Sequence, residues 1–414
     1  MPATPTTSIP TGIAPPTTFA NLGVPSILTA ALAARGITTP RPIQVRTLPD
    51  ALLGRDVLGR AETGSGKTLA FGLPLLARIA TASGRRRPRQ PRGLVLVPTR
   101  ELADQVHDEL LPLAAVLGLR LLAVYGGVPL GRQAQELRRG IDVIVATPGR
   151  LLDLLGQDAC SLDAVATAVL DEADHMADMG FLPAVTSLLD RVPSGGQRLL
   201  FSATLDSQVD TLVHRYLTDP VRHTVAPTAA AARMDHQICT VQATDKVAVA
   251  AELAGRPGRT LLFVRTKHRA ARLARQLEQA GVRAGALHGN LSQPARTRAL
   301  AAFAAGTVPV LVATDIAARG IHVDGIDLVV HFDPPTEPKA YLHRSGRTAR
   351  AGAAGTVITL VLPEQATDVA RLHQRAGVAM PPPPVEPTTS RAPARTGARR
   401  PGGRRRRRRV HASA

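Results

Sequence analysis

The chain carries the segment Ala61-Glu62-Thr63-Gly64-Ser65-Gly66-Lys67-Thr68 between two apolar runs. The run before it, residues 56–59, predicts a strand, and the run after it, residues 69–76, predicts a helix. A strand, a glycine-rich turn and a Lys-Thr pair that opens a helix are typical of a phosphate-binding loop. Glycines let backbone N–H groups turn inward, and a helix N-terminus adds partial positive charge. The segment therefore predicts an anion site in an α/β fold.

Two side chains of this loop have defined tasks in phosphate chemistry. Lys67 is long enough to reach the β- and γ-phosphates of a nucleotide, and the Thr68 hydroxyl is a ligand for Mg²⁺. Ala61 departs from the common pattern, which begins with Gly. The loop predicts binding of a nucleoside triphosphate together with Mg²⁺.

Composition limits the fold and the partner. The chain has 414 residues, of which 44% are hydrophobic, and this is enough for two domains with separate cores. Aromatic residues make up only 2%, so base stacking is not expected to be the main mode of nucleic-acid binding. The net charge of +19 favours a polyanionic partner. Cys160 and Cys239 lie far apart and are expected to be free thiols in a reducing compartment.

Short apolar runs alternate with helical patterns between residues 56 and 220. Their length and their Val and Leu content predict buried parallel strands. These strands are predicted at 94–97, 121–124, 143–145, 168–170 and 198–201. Ligands of an open parallel sheet bind at the carboxyl ends of its strands, so the polar residues that follow these runs are candidate site residues.

A second alternation follows a segment at 221–234 that has the composition of a linker. Strands are predicted at 260–264, 283–288, 308–313, 328–331 and 355–360, with a helix at 267–280. This pattern predicts a second α/β domain, without a second Lys-Thr loop.

Three segments fall outside this alternation. Residues 1–16 are rich in Pro and Thr, lack the pattern of a signal peptide and are expected to be disordered. The part of the chain from Arg391 to its last residue carries ten Arg and no acidic residue, and it is also expected to be disordered. The basic loop at 84–92 has two open interpretations, as a contact for RNA phosphates or as a solvated charge run.

Charged residues at two further positions suit nucleotide hydrolysis. Asp171 and Glu172 follow a predicted strand, where an acid can hold Mg²⁺ and its neighbour can orient or deprotonate a water molecule. Arg344, Arg347 and Arg350 are spaced by three, so they share one face if the segment is helical. Such a row suits a γ-phosphate approached from a second domain.

The connector at 37–44 contains two prolines and ends at Gln44. Its rigidity would aim the Gln44 amide, a donor and an acceptor, at a purine edge. An ordinary loop before the first strand explains the same residues equally well.

Taken in order, these motifs resemble those of the DEAD-box RNA helicases of superfamily 2. The resemblance covers about residues 17–383 and is most specific at Asp171-Glu172-Ala173-Asp174, which give the family its name. It implies two tandem RecA-like α/β domains with parallel sheets, a short linker and disordered tails. The implied bounds are a tail at 1–16, the Q motif at 17–45, the ATP-binding domain at 48–222, the linker at 223–232, the C-terminal helicase domain at 233–383 and an Arg-rich RNA-binding tail at 384–414.

The resemblance assigns roles at the ATP site. It implies that Phe19 stacks on adenine, that Arg41 and Gln44 read its edge, and that Asp171 holds Mg²⁺ through water. The implied nucleotide-binding residues are Phe19, Arg41, Gln44, Ala61, Glu62, Thr63, Gly64, Ser65, Gly66, Lys67, Thr68, Asp315 and Arg319. The implied catalytic residues are Lys67, Asp171, Glu172, Ser202, Thr204, Arg347 and Arg350, with the last two as arginine fingers.

The resemblance also implies an RNA site that spans both domains. RNA is expected to bind through phosphates and 2′-hydroxyls, with little base specificity. The implied contacts are Pro98, Thr99, Arg100, Gly126, Gly127, Thr147, Pro148, Gly149 and Arg150 in the first domain, and Arg265, Gln293, Arg296 and Thr314 in the second.

Three positions depart from the family pattern. His322 stands where the family has an Asp that contacts a ribose hydroxyl, and Asp324 could replace that Asp only after a local shift. Ser345 replaces an apolar residue and Ala349 replaces a Gly, and both changes are expected to be tolerated.

The sequence therefore predicts an ATP-dependent RNA helicase that opens short duplexes or remodels RNA–protein complexes locally. Two alternatives stay open: an ATP-gated RNA clamp or annealing chaperone, which the Arg-rich tail favours, and a DNA-directed ATPase of superfamily 2. We expect a cytoplasmic monomer without membrane association. Ribosomal precursors and the RNA-decay machinery are both open as partners.

Overall fold

The computed structural model describes residues 17–62, 64–82, 86–225, 234–318, 323, 325–349 and 354–378. They form two α/β halves, each built on one sheet. The strands of the first half are β1 (Val57–Arg60), β2 (Gly93–Leu96), β3 (Leu121–Val124), β4 (Val143–Ala146), β5 (Thr167–Leu170), β6 (Gln197–Ser202) and β7 (Val221–Thr224). Its helices are α1 (Ser26–Ala34), α2 (Pro42–Leu52), α3 (Lys67–Thr81), α4 (Arg100–Val116), α5 (Leu130–Arg138), α6 (Pro148–Gly156), α7 (Ala173–Asp178), α8 (Leu182–Leu189) and α9 (Ser207–Tyr216).

The strands of the first sheet are all parallel and lie in the order β3-β4-β2-β5-β6-β1-β7. Helices cover both faces of this sheet, which explains why its central strands are largely apolar. Within β2, for example, Val95 packs into the core on one face, whereas Leu94 and Leu96 pack into the core on the other. Since the carboxyl ends of parallel strands meet at one edge, the polar segments predicted as site residues lie along that edge.

The second half repeats the same plan with other lengths. Its strands are β8 (Met234–Thr240), β9 (Thr260–Val264), β10 (Ala284–Leu287), β11 (Val310–Thr314), β12 (Leu328–His331) and β13 (Gly355–Val361). Its helices are α10 (Lys246–Ala254), α11 (Lys267–Gln279), α12 (Gln293–Ala304), α13 (Asp315–Ala318), α14 (Pro338–Ser345) and α15 (Ala366–Arg375). These strands are also parallel, in the order β10-β11-β9-β12-β13-β8. The predicted fold class is thus confirmed.

The linker prediction was wrong at its edges. His223 and Thr224, assigned to the linker, belong to β7, which pairs with β1 along the edge of the first sheet. Strand β8 was not predicted at all, although Met234–Thr240 pairs with the whole of β13. Both are edge strands that alternate between half-buried and exposed residues, so they lack the continuous apolar run that identified the central strands. The middle of the predicted linker lies outside the described residues.

Two arginines of the basic loop form ion pairs within the protein, whereas residues 86–89 are exposed, as the interpretation as a solvated charge run predicts. Arg86 and Arg92 bind the buried Asp142 carboxylate at 2.6 and 2.9 Å. The same carboxylate accepts the Arg120 backbone N–H at 2.9 Å. The pKa of Asp142 is lowered because these hydrogen bonds outweigh the cost of its burial. These two arginines therefore stabilise the first half, a role that neither interpretation of the loop included.

Within the described ranges, no helix combines the length and the apolar character that a membrane span requires.

Candidate functional site

The glycine-rich loop lies between β1 and α3, where the sequence placed it. Gly66 adopts a φ of +92°, and a Cβ there would lie 2.7 Å from the Gln44 amide nitrogen. The position therefore needs glycine both for its backbone and for the space that Gln44 occupies. Lys67 opens α3, and its ammonium donates to the Ala61 carbonyl at 3.2 Å. Ala61 is not among the residues with positive φ, which explains why the usual Gly is dispensable there.

Other residues of the loop offer room for an anion. The Ser65 hydroxyl is buried and has no hydrogen-bond partner among the described residues. Gly64 also adopts a left-handed φ, of +83°. Thr68 follows Lys67 in the first turn of α3 and is half-buried. Thr63 lies outside the described residues. An unpaired buried hydroxyl beside a helix N-terminus fits an incoming phosphate oxygen.

Arg41 and Gln44 contact the glycine-rich loop directly. The Gln44 amide donates to the Gly66 carbonyl at 2.9 Å, and its oxygen accepts the Arg41 backbone N–H at 2.8 Å. The Arg41 guanidinium donates to the Gly64 carbonyl at 2.5 Å. Gln44 lies in the first turn of α2, not in a rigid connector as predicted, because Pro42 starts the helix. The two side chains thus connect this helix to the phosphate loop.

Phe19 does not present its ring to solvent. It is only 3% exposed and belongs to the hydrophobic core of the first half. Leu22 and Ile37 pack against the same core. Stacking of Phe19 on adenine stays a prediction, and in this structure the ring packs against protein instead.

Asp171 directly follows the last residue of β5 and is buried beside Lys67. Burial raises its pKa to about 7, while the nearby Lys67 ammonium opposes this rise and the Glu172 carboxylate adds to it. Burial therefore disfavours the charged form of this carboxylate. A divalent cation bound beside it would stabilise the charged form. The chemistry of Asp171 and Thr68 therefore fits Mg²⁺.

Glu172 has an unusual backbone conformation. Its φ of 51° and ψ of 52° are left-handed, which costs a side chain other than glycine on the order of 1 kcal/mol. Its carboxylate contacts the His175 Nδ1 at 2.8 Å, and both residues are about 5% exposed. The strained backbone and the histidine contact together hold the carboxylate in one orientation.

Ser202 and Thr204 both bind Asp174. The Thr204 hydroxyl and backbone N–H donate to one Asp174 oxygen at 2.8 and 2.9 Å. The Ser202 hydroxyl accepts the Asp174 backbone N–H at 3.2 Å and donates to the Thr204 carbonyl at 2.7 Å. Neither side chain lines the small cleft that contains Lys67, Glu172 and Arg347, so they position Asp174 and through it the start of α7.

A small cleft of about 40 Å³ lies where the two halves meet. The first half contributes Lys67 and Glu172, and the second contributes His343 and Arg347. The complete lining is Lys67, Glu172, Asp174, His175, Ala203, His343 and Arg347. Arg347 is buried at 7% exposure. Predicted catalytic residues that are far apart in sequence therefore come together.

The two described arginines of the predicted row, Arg344 and Arg347, do not share a helical face. Helix α14 ends at Ser345, so Arg347 lies in the turn that follows. Arg344 points elsewhere and binds the Asp315 carboxylate with two nitrogens, at 2.5 and 2.7 Å. Asp315, predicted as a nucleotide contact, is thereby engaged within the second half. Arg350 and Arg319 lie outside the described residues, as do His322 and Asp324.

A larger cleft of about 420 Å³ also spans the two halves. It contains eight of the predicted RNA contacts, joined by residues that were not predicted. Its lining is Pro98, Thr99, Arg100, Glu101, Gly126, Thr147, Gly149, Arg150, Asp153, Met179, Phe181, Gly289 and Arg296. This cleft has the size of a ligand site and opens beside the junction of the halves.

Several arginines of this cleft are held by protein contacts. Arg150 donates to the Val128 carbonyl at 2.8 Å and to the Gln133 amide oxygen at 3.0 Å. Gln133 in turn donates to the Tyr125 carbonyl at 3.2 Å, so Arg150 stabilises the loop that contains Gly126 and Gly127. Arg296 binds the Glu101 carboxylate of the other half at 2.6 Å.

Gly127 needs its glycine. It adopts a φ of +88°, and a Cβ there would lie 2.3 Å from the Arg100 guanidinium. The Arg100 side chain therefore lies against the backbone of this loop.

The remaining predicted RNA contacts lie outside the lining of this cleft. They are Pro148, at the start of α6; Gly127; the exposed Arg265; the buried Gln293; and Thr314, at the end of β11.

The sequence analysis missed two histidines, His175 and His343, that line the small cleft between the halves. His175 lies three residues after Glu172, a spacing that places two side chains on one helical face and could have identified the pair. His343 comes from the second half, and its ring centre lies 5.7 Å from that of His175. Burial lowers the pKa of His343, and the neighbouring His175 adds to this effect while Asp178 opposes it. No local pattern could have revealed this contact, because it forms only when the halves meet.

Comparison with protein-family models identifies both halves. Residues 41–212 match the model for DEAD/DEAH box helicases, and residues 244–352 match the model for the helicase conserved C-terminal domain. The chain is also 42% identical, over 90% of its length, to the ATP-dependent RNA helicase RhlB of Xanthomonas oryzae pv. oryzae. The chain spans 66% of the length of that curated relative.

Solved structures agree with this similarity. The structure of Saccharomyces cerevisiae Dbp5 bound to RNA and ADP BeF3 has a TM-score of 0.74 and 28% identity, covering 87% of this chain and 93% of the other. A DEAD box protein from the hyperthermophile Methanococcus jannaschii has a TM-score of 0.50 and 30% identity, covering 87% of this chain and 97% of the other. The nucleotide-bound and RNA-bound structure is therefore more similar in overall arrangement than the second one.

Proposed function

This chain belongs to the DEAD-box helicase family, and from that premise we propose that it is an RNA-stimulated ATPase that opens short RNA duplexes or remodels RNA–protein complexes locally. The observation that carries the proposal is the small cleft between the halves. There Lys67 and Glu172 of the first half meet His343 and Arg347 of the second. A hydrolytic site that two domains complete together is active only when they close.

The first half binds ATP. The backbone N–H groups of the loop, the Lys67 ammonium and the positive end of α3 hold the phosphates. Arg41 and Gln44 contact the same loop, so adenine recognition and phosphate binding are connected through α2. Thr68 and Asp171 would hold Mg²⁺, which neutralises phosphate charge when it is bound.

Glu172 acts as the general base. Its carboxylate orients an attacking water molecule and accepts its proton, while His175 keeps the carboxylate in place through the 2.8 Å contact. Arg347 supplies positive charge to the γ-phosphate as negative charge develops there. Because Arg347 comes from the second half, hydrolysis depends on closure.

Ser202 and Thr204 connect hydrolysis to the movement of the halves. They bind Asp174, two residues after the general base, so a shift of Glu172 is transmitted to the loop at 203–206. We assign them to positioning rather than to chemistry.

RNA binds in the larger cleft. The cleft includes donors from both halves, such as Thr99 and Arg100 of the first and Arg296 of the second, so a strand bound there favours the closed arrangement. Contacts of this kind recognise phosphates and 2′-hydroxyls, and binding is therefore largely independent of base sequence.

Strand displacement tests this function. A short RNA duplex with a single-stranded overhang is incubated with the full chain and ATP, with ATP and Glu172→Gln, or without nucleotide. We expect displacement only with ATP and the unmodified chain. Annealing of complementary strands without any displacement would contradict the proposal and support a clamp or annealing chaperone. Equal stimulation of ATP turnover by DNA would contradict the assignment to RNA.

A further inference from the structure

Lys339 connects the two halves through ion pairs. It is not among the site residues named above. Its ammonium lies 2.7 Å from the Asp178 carboxylate and 2.8 Å from the Asp206 carboxylate. Lys339 belongs to α14 of the second half, whereas both carboxylates belong to the first. We refer to Lys339, Asp178 and Asp206 as the Lys339 bridge.

The two carboxylates lie at positions connected to the nucleotide cleft. Asp178 is the last residue of α7, the helix that Glu172 precedes. Asp206 caps α9 by accepting the backbone N–H groups of Gln208 and Val209 at 3.1 and 3.0 Å, and it follows Thr204 by two residues. Lys339 therefore contacts both segments of the first half that surround the general base.

The other end of the bridge leads to Arg347. Helix α14 runs from Pro338 to Ser345, so Lys339 is in its first turn and Arg347 lies two residues beyond its end. His343 lies one turn after Lys339, and its Nδ1 is 3.6 Å from the second Asp178 oxygen. Fixing the start of α14 against the first half thus fixes where His343 and Arg347 enter the cleft.

The bridge places one positive charge between two negative charges, and all three groups are partly shielded from water. The side chain of Asp178 is 18% exposed, and those of Lys339 and Asp206 are each 35% exposed. Burial alone would lower the pKa of Lys339, but the hydrogen bonds that its ammonium donates to both carboxylates raise it. Lys339 consequently stays charged at neutral pH, and salt screens the bridge less than a fully exposed pair.

We propose that Lys339 is a positioning residue that stabilises the closed arrangement by joining α14 to Asp178 and Asp206, so that Arg347 reaches the nucleotide cleft. The bridge forms only in the closed arrangement, so its free energy adds to the coupling between RNA binding and closure. The measurement of ATP turnover described below rests on the proposed function, whereas the measurement of the distance between the halves does not.

The test follows closure directly with two fluorophores. One exposed cysteine is placed in each half, in a background without Cys160 and Cys239, and energy transfer is measured as single-stranded RNA is added with a non-hydrolysable ATP analogue. Lys339→Met should raise the RNA concentration needed for half-maximal closure about tenfold, a typical size for coupling between sites. ATP binding without RNA should not change, because the first half binds the nucleotide.

Two further variants separate the bridge from general effects. Asp206→Asn removes the charge but keeps a side chain that caps a helix equally well, so it should weaken closure without loss of stability. Arg371→Met removes one positive charge from an exposed position of the second half and should leave closure unchanged. The double variant Lys339→Met with Asp178→Asn should be no worse than the worse single variant, since both remove the same bridge.

The outcomes are distinguishable. The proposal would be contradicted if Lys339→Met closed at the same RNA concentration as Arg371→Met. Additive effects of the two substitutions in the double variant would also contradict it. A chain that hydrolyses ATP with RNA but never brings its labels together would also contradict it. A chain that closes but shows no RNA-stimulated turnover would overturn the proposed function. The comparison of closure between Lys339→Met and Arg371→Met would still decide the role of Lys339.

Discussion

At the scale of single residues, departures from the family pattern are explained by local geometry. Ser345 is buried, yet its hydroxyl donates to the Tyr341 carbonyl at 2.8 Å, so a polar residue is tolerated where the family has an apolar one. Ala349 differs, because its φ of 54° is left-handed and favours glycine. Sequence reasoning could identify both departures but could not tell which one is strained, since φ is known only from the structure.

Ala349→Gly should therefore stabilise the second half. Relief of the left-handed backbone outweighs the greater freedom of glycine in the unfolded chain, so we expect a gain of roughly 0.5 kcal/mol in the free energy of unfolding. The matched control is Ala243→Gly at an exposed loop position whose φ is not positive. Denaturant unfolding should show a loss of similar size for the control. Destabilisation by Ala349→Gly would show that the backbone there is not strained.

Arg347→Ala tests the residue that enters the cleft from the second half. If Arg347 stabilises the developing phosphate charge, the RNA-stimulated rate should fall on the order of 10³–10⁵-fold, as for other arginine fingers. ATP binding should be retained, because Lys67 and the glycine-rich loop are unchanged. Arg371→Ala, at an exposed position of the same half, is the control. A rate within tenfold of the unmodified chain would remove Arg347 from this role.

At the scale of elements, the strands were easier to predict than the contacts between them. The central strands were predicted to within about two residues because a strand covered on both faces is continuously apolar. Strands β7 and β8 were missed because they lie at sheet edges, and α2 was missed because its prolines were taken as signs of a loop. The glycine-rich loop and Asp171 were found from local patterns, whereas His343 and Lys339 depend on packing between distant segments.

Helix α14 lies on a buried group of histidines that makes it sensitive to acid. Tyr341 of α14 donates to or accepts from the His236 Nδ1 at 2.7 Å, and its ring lies 4.9 Å from His331 and 4.6 Å from His373. Burial lowers the pKa of His373 to about 4 and also lowers those of His331 and His236. The nearby Arg344 lowers the pKa of His331 further, whereas Asp235 opposes the shift at His236.

The sign of the pH dependence follows from these shifts. Below about pH 6.5 the unfolded chain binds protons that the folded histidines do not, so stability falls as the pH decreases from about 6.5 towards 4. We expect the second half to lose on the order of 2 kcal/mol over this range, measured by denaturant unfolding at several pH values. His373→Phe keeps a ring against Tyr341 but cannot be protonated, so it should show a smaller loss. An unchanged pH profile in that variant would contradict this account.

At the scale of the whole molecule, the net charge of +19 is unevenly distributed along the chain. Ten of the arginines lie in the segment from Arg391 onward. We propose that this segment anchors the chain on RNA through phosphates. Each phosphate contact adds about −0.7 to the slope of log affinity against log salt for single strands.

Deletion of residues 391–414 should therefore make RNA affinity less dependent on salt. The expected result is a flatter slope in fluorescence anisotropy titrations over a range of salt concentrations. Deletion of residues 2–16 is the matched control, because that segment contains no charged side chain. Identical slopes for the full chain and the 391–414 deletion would mean that the segment does not contact RNA.

The most direct test of the whole account is steady-state ATP turnover by the full chain, alone, with single-stranded RNA and with DNA of matched sequence, beside Glu172→Gln. We predict that RNA alone stimulates turnover, that Glu172→Gln abolishes it, and that this variant still binds ATP because the glycine-rich loop is intact. Turnover that is independent of RNA, or that survives Glu172→Gln, would contradict the account.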